Sequence, residues 1–491
     1  MDPITQRTLQ MIAEAQGALA KTTFLTSTGL VGYDLEQPAK SLFPALSPIV
    51  NSIAREKSRI GDTAVRWKAI TAISGYGLNP GVSEGKRGGE VAVTVASVTA
   101  AYATLGQEIS TSFEAEAASM GFDDARAKAA MSLLASSKIA EEPVILGGNN
   151  SVALGTVGTV TPSTATTGGT IAAATYNVIC VALTLEGFLN SSVSATGVPG
   201  VIARTNIDGT TDNIGGGSSM KSAAASQATT GSTSTITAQV VDVPGAVAYA
   251  WYLGTAGAEK IVAIGGNKMT FTALPAGGNQ NASAITADNS QNALEFDGLL
   301  TLCMKSGNNG YVKTLDGAFL TADTAAGIVE WDAALKDRYD NYRLSPDTIW
   351  ISSQEAVNAN KKIIGNGGAP LVRFALDARN LGGASPAAAV DLTFSGGTAI
   401  GSYLNKFTNQ MMRVVVHPYL PAGVVLMTSS TLPYTVPDVP AQAFRMMQRR
   451  PYYQIEWPLV KRRYEAGVYI EEVLQHYAPF SMAMIKNIGN G

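Results

Sequence analysis

The chain has 491 residues, with 35 Lys plus Arg against 38 Asp plus Glu, and its formal net charge of −3 supplies no global attraction to nucleic acid or to an anionic membrane. Hydrophobic residues at 46% and charged residues at 15% exclude global disorder, and the length suits roughly two to four domains. No apolar run reaches the roughly 18 residues of a bilayer span, and the opening MDPITQRTLQ lacks the basic-then-apolar pattern of a secretion signal, so folding in the cytoplasm is expected.

Asp2 and Pro3 make an N-cap and first-turn pair, and Leu9, Ile12, Ala15 and Leu19 recur at helical spacing, which predicts a short opening helix. Residues 21–60 lose that period and carry Pro38, Pro44 and Pro48 among apolar residues, as suits an extended arm lying against another surface. Strands are predicted from Val65 to Ile73 and from Val91 to Tyr102, where Val91, Val93 and Val95 alternate with smaller residues. Between them runs the polar, glycine-rich GYGLNPGVSEGKRGG. A long hairpin with such a tip has little of its own to pack on, so it is expected to lie on a neighbouring subunit. Next, Phe122, Ala125, Ala129 and Leu133 follow helical spacing behind Asp123 and Asp124, and Pro143 is expected to close that helix.

Near Gly155 the composition turns to Thr, Ser, Gly and Ala, which by itself suits a disordered linker. Against that, Tyr176, Val178, Cys180 and Ala182 alternate along one stretch, Ile236, Ala238 and Val240 along a second, and Val247, Tyr249 and Trp251 along a third. Short alternating strands separated by turns predict a β-sandwich over 155–285. TYNVICVALTLEG and STITAQVVDVPGAVAYAWYLG resemble segments of fibronectin type III-like or immunoglobulin-like domains.

After residue 286 a mixed α+β texture returns. Ile328, Trp331, Leu335, Tyr339 and Tyr342 mark a helix that Pro346 stops, TIWIS follows as a strand, and Ser352 with Glu355 forms a capping-box pattern opening a second helix to about Ile364. MMRVVVHPYLPAGVVLMTS predicts two apolar strands joined as a hairpin around Pro-Ala-Gly.

GYDLEQPAKSLFPALSPIVNSI, the glycine-tipped hairpin, the helix ending SSKIAEEPVILGGNN and the closing YIEEVLQHYAPFSMAMIKNI together resemble the major capsid proteins of tailed bacteriophages with the Hong Kong 97-type fold. The resemblance covers the chain outside the insert. It implies an N-terminal helix and arm at 1–61, an extended loop at 62–106, a peripheral domain with a spine helix at 107–154, the inserted sandwich at 155–285, and the remaining peripheral domain, axial domain and tail at 286–491. It also implies homo-pentamers and hexamers closing an icosahedral shell around double-stranded DNA, with scaffolding, portal and decoration proteins as partners. Assembly would take place in the host bacterial cytoplasm, and the finished location would be the virion capsid. A bacterial nanocompartment shell shares the fold and is the alternative, and a surface adhesin built on the sandwich is a third reading.

Chemistry-bearing residues are sparse. Cys180 and Cys303 read as buried free thiols, and His417 and His476 lack the spacing of a metal site or nucleophile motif. Gly85-Lys86 is followed by Arg87, so no phosphate loop forms. No catalytic residue, cofactor or metal is therefore expected. The adjacent acids Glu141-Glu142 and Glu471-Glu472 read as solvated or as intersubunit ion pairs. Arg449, Arg450, Lys461, Arg462 and Arg463, interleaved with Tyr452, Tyr453, Trp457 and Tyr464, form a basic cluster that suits either non-specific phosphate contact or ion pairing between subunits. Lys86 sits where the family's type member carries a crosslinking lysine, a match of place only.

Overall fold

The computed structural model describes residues 47–58, 63–71, 79–90, 95–119, 124–194, 196–323, 327–365, 400–432 and 442–490. The expected opening helix and most of the arm lie outside these, as do Val91, Val93, Phe122 and Asp123. The described arm holds α1 (Pro48–Ser52) and β1 (Arg55–Lys57), which pairs in parallel with Met446–Gln448. β2 (Ala64–Ile70) and β3 (Val95–Ala101) form an antiparallel two-stranded hairpin, and residues 79–90 of its tip are exposed throughout. Its base is pinned: the Trp67 indole N–H donates to the His476 carbonyl oxygen at 2.5 Å, and the two rings meet edge-on at 5.4 Å.

β4 (Ala103–Ser112) leads into α2 (Phe113–Ser119) and the 23-residue α3 (Ala125–Gly147). Asp124 caps α3 by accepting from the backbone N–H groups of Arg126 and Ala127, 3.0 Å each. Pro143 does not close this helix, contrary to the sequence expectation; α3 runs through it to Gly147. A proline inside a helix costs about 3 kcal/mol, and here the turn beyond it carries Ile145 and Leu146, both wholly buried in the main core.

The central segment forms two sheets. β5 (Thr161–Ala165), β6 (Thr175–Leu183), α4 (Leu185–Asn190), the separate hairpin β7 (Val201–Thr205) and β8 (Thr211–Gly215), β9 (Ala225–Ala228), β10 (Thr235–Gln239), β11 (Ala248–Gly254), β12 (Lys260–Gly265) and β13 (Lys268–Phe271) follow in chain order. The sheets run β13-β10-β5 and β12-β11-β6-β9 and enclose a core of Tyr176, Val178, Cys180, Ile236, Trp251 and Phe271. Trp251 meets Phe271 across it at 6.0 Å. β6 and β11 do not expose alternate residues, because Val198, Ala282 and Ile285 cover their other face. The chain visits the sheets in an order unlike an immunoglobulin constant domain, crossing to the second sheet after one strand instead of two.

α5 (Leu299–Met304), β14 (Tyr311–Thr314), α6 (Val329–Tyr342), β15 (Thr348–Ile351), α7 (Ser353–Gly365), β16 (Ser402–Asn405), β17 (Gln410–Val416), β18 (Val425–Thr428), β19 (Phe444–Glu456), β20 (Arg463–His476) and β21 (Met482–Lys486) complete the order. A six-stranded sheet runs β14-β21-β18-β15-β17-β16 and a four-stranded sheet β1-β19-β20-β4. The hairpin expected at 411–429 does not form, since β15 inserts between β17, to which it is parallel, and β18, to which it is antiparallel. The capping box is half made: Ser352 Oγ accepts from Glu355 N at 3.2 Å, while the Glu355 carboxylate accepts instead from Gly423 N at 3.1 Å.

The sandwich is docked on this body. Lys486 of β21 is buried and holds its ammonium between Asp242 Oδ2 at 2.8 Å and the Ala246 carbonyl at 2.9 Å. Leu185 and Val247 enter the main core, and Gly147 leaves room for Leu185: a Cβ there would stand 2.7 Å from that of Leu185. Truncating the largest side chain of the sandwich core, Trp251→Ala, is expected to lower unfolding free energy by about 3–5 kcal/mol, read as a fall in urea midpoint.

Candidate functional site

The charged groups gather where the arm, α3, β19 and β20 meet. Successive helical residues point about 100° apart, and successive strand residues point to opposite faces, so each adjacent acid pair is split between two environments. Glu142 turns to α1: its carboxylate accepts from Ile49 N and Val50 N at 2.8 Å each, and His417 Nε2 lies 2.7 Å from Oε1 with both side chains fully buried. Glu141 faces Arg55 and Tyr452 instead. On β20, Glu472 turns inward to Arg55 at 3.0 Å and Gln448 at 3.2 Å, while Glu471 meets Arg449 and Tyr453 on the other face. The reading of these acids as solvated or intersubunit is therefore corrected; all four are buried and partnered within the chain.

The Glu141 carboxyl also lies within hydrogen-bond reach of Glu472. Burial first, and this neighbouring acid next, push the Glu472 carboxyl up to about 9. His476, buried beside Trp67, is pushed down to about 4 by desolvation. Cys180 and Cys303 are buried and free, and burial raises both thiols. Among the described residues no group of three or more His, Cys, Asp or Glu is placed to hold a metal ion.

The basic cluster is not one patch. Arg449 pairs with Glu471, Arg450 lies 3.8 Å from the same carboxylate, Arg462 pairs with Glu114 at 2.9 Å and Arg463 with Glu465 at 2.5 Å. Arg449 stacks over Tyr102 and Arg450 over Tyr453. Lys461 is exposed in the β19–β20 turn beside Leu459 and Val460, which are exposed too. Lys86 stands on the exposed tip of the first hairpin.

Arg55, Gln448 and Tyr452 were not singled out as partners of these acids from sequence. A usable signal was present: Glu141 and Glu142 sit in IAEEPVILG, between apolar residues that bury that turn.

No family model and no curated protein matches the chain. Among solved structures, it is similar to the capsid of cyanophage A-1(L), at 8% identity and TM-score 0.45 over 95% of this chain and 99% of that one. It is similar to the capsid of cyanophage P-SCSP1u, at 8% identity and TM-score 0.40 over 96% of each chain, and to the capsid of Myoviridae phage XM1, at 9% identity and TM-score 0.40 over 91% and 94%.

Glu142→Ala strips the acceptor from two buried N–H groups and from His417, so it is expected to cost about 3–5 kcal/mol in urea unfolding, with Glu142→Gln costing less.

Proposed function

We propose that this chain is the major capsid protein of a tailed bacteriophage with the Hong Kong 97-type fold, a structural subunit and not an enzyme. What supports the reading is the β2–β3 hairpin. Two strands on their own are marginal in water; the described part of β2 is held to the body by Trp67, by Ile70 N donating to the Tyr477 carbonyl at 2.7 Å and by the Thr71 carbonyl accepting from Asn309 at 3.0 Å, whereas residues 79–90 of the tip are fully exposed. The exposed tip, unlike the anchored strand, has no surface of its own chain to lie on among the described residues, and an overlapping neighbour supplies one. A long helix packed on a four-stranded sheet, a separate six-stranded sheet and an arm tied down at Pro48–Lys57 fit the same architecture.

In this reading pentamers and hexamers of the chain close an icosahedral shell around double-stranded DNA. Arms and hairpins lap over neighbours and make many weak contacts into a durable whole. Residues 1–61 are the arm, 62–106 the extended loop, 107–154 the first part of the peripheral domain, 155–285 an inserted immunoglobulin-like sandwich, and 286–491 the rest of the peripheral domain, the axial domain and the tail. DNA contact is non-specific and falls to Lys461 and its exposed surroundings more than to the paired arginines. Scaffolding, portal and decoration proteins are the partners, and assembly takes place in the bacterial cytoplasm.

Electron microscopy and sedimentation of the chain, alone and with a candidate scaffold, are expected to show closed shells or hexamer-sized capsomers. A monodisperse monomer under both conditions overturns the reading. Deleting 79–90 is expected to leave a folded subunit, with the urea midpoint unchanged, that no longer assembles.

A further inference from the structure

Two carboxyls, Glu141 of α3 and Glu472 of β20, face each other in the protein interior, 1% and 0% exposed, with a single guanidinium between them. Arg55 reaches Glu141 with one terminal nitrogen and Glu472 with the other. The remaining charges around the pair are committed elsewhere. On α3, Glu142 is bound to the start of α1 and to His417. On β20, Glu471 is bound to Arg449, and on β1, Glu56 is bound to Arg445 of β19. β19 turns the Tyr452 hydroxyl to Glu141 and the Gln448 amide to Glu472 Oε2. Glu472 Oε1 is left with no donor among the described residues. One cation thus serves two buried acids, and one oxygen of Glu472 lacks a donor.

We propose that Glu141 and Glu472 form a proton-dependent latch: one proton held between the two carboxyls, with Arg55 bound across them, fastens the arm, α3 and the β19–β20 hairpin into one unit. The proton supplies the hydrogen-bond donor that the site lacks. It also leaves one net negative charge opposite the guanidinium, so the pair is close to neutral in a place where uncompensated charge is costly. Removing it sets two carboxylates side by side with no water to screen them.

The sign of the pH dependence follows. The Glu472 proton is retained in the packed state up to about 9 and is lost near 4.5 in an opened or unfolded chain. The latch is therefore fully present below the lower value and is lost as pH rises through the upper one, so opening is favoured by at most about tenfold per pH unit in that window. Opening at neutral pH releases a proton. Any rearrangement that separates α3 from β20 is thereby coupled to the acidity of its surroundings.

The test uses the full chain and the infrared C=O stretch of un-ionised carboxyl groups, recorded at about pH 8.5 as wild-type minus variant difference spectra; Glu186 and Glu355, raised to about 7, are largely ionised there, and the contribution of Glu295, raised to about 8, cancels in the difference. The wild type is expected to show a band that Glu472→Gln removes and that Glu141→Gln weakens, because removing Glu141 takes away the neighbouring acid that helps to hold the Glu472 proton. Hydrogen exchange over Arg55–Lys57, corrected for its intrinsic pH dependence, is expected to speed up by as much as tenfold per pH unit between about pH 6 and pH 9 in the wild type and to stay flat in Glu472→Gln. A wild-type minus Glu472→Gln difference spectrum without the band overturns the proposal. So does a Glu141→Gln spectrum in which the band keeps its wild-type strength, or the same exchange slope in the wild type and Glu472→Gln.

Discussion

Glu142 has no access to water, and everything that satisfies it comes from elsewhere in the chain: two backbone N–H groups of α1 and the ring of His417. A buried carboxylate without such partners would cost several kcal/mol, so α3 cannot sit where it does unless the arm and the segment carrying His417 are already in place. Glu141, one residue earlier, makes the same demand on β1 and β19 through Arg55 and Tyr452. One helical turn thus ties together elements separated by 93, 275 and 311 positions in sequence. The short α1 and three-residue β1 have little stability of their own, and these contacts are what hold them.

The opposite charge plays the matching part where the sandwich meets the body. Lys486, buried in the last described strand, is met by Asp242, Val243 and Ala246 of the sandwich, and Asn487 adds a hydrogen bond to Asp242. A seam of this kind is specific as well as sticky. Separating the two bodies would strand an ammonium in apolar surroundings, so the sandwich holds one position on the six-stranded sheet.

Much of the local structure was legible in the sequence because it obeys local rules. The apolar face of α6, the strand TIWIS and the start of α7 at Ser352 sit within a residue or so of where spacing and capping put them. The two-strand pattern around the first glycine-rich loop was legible for the same reason, over the residues of it that are described. What failed depended on distant residues. Pro143 reads as a stop until the burial of Ile145 and Leu146 is known. Met411–Val416 and Val425–Thr428 read as a hairpin until β15 is seen to lie between them. At the junction, the acid pairs looked ordinary because Arg55 sits in a stretch with no periodicity to announce it. The arginines at 449 and 450 looked like a patch because their carboxylate partner is not adjacent in sequence.

The seam at Lys486 also orders events in time. Its contact with Ala246 spans 240 positions, so it closes a very long loop, whereas the strands of the sandwich find one another over far shorter separations. During synthesis the sandwich has all its strands long before β21 exists, and the six-stranded sheet lacks an interior member until then. The inserted segment therefore matures first and waits as a ready-made surface. The surrounding body is completed on it by the arrival of a single strand.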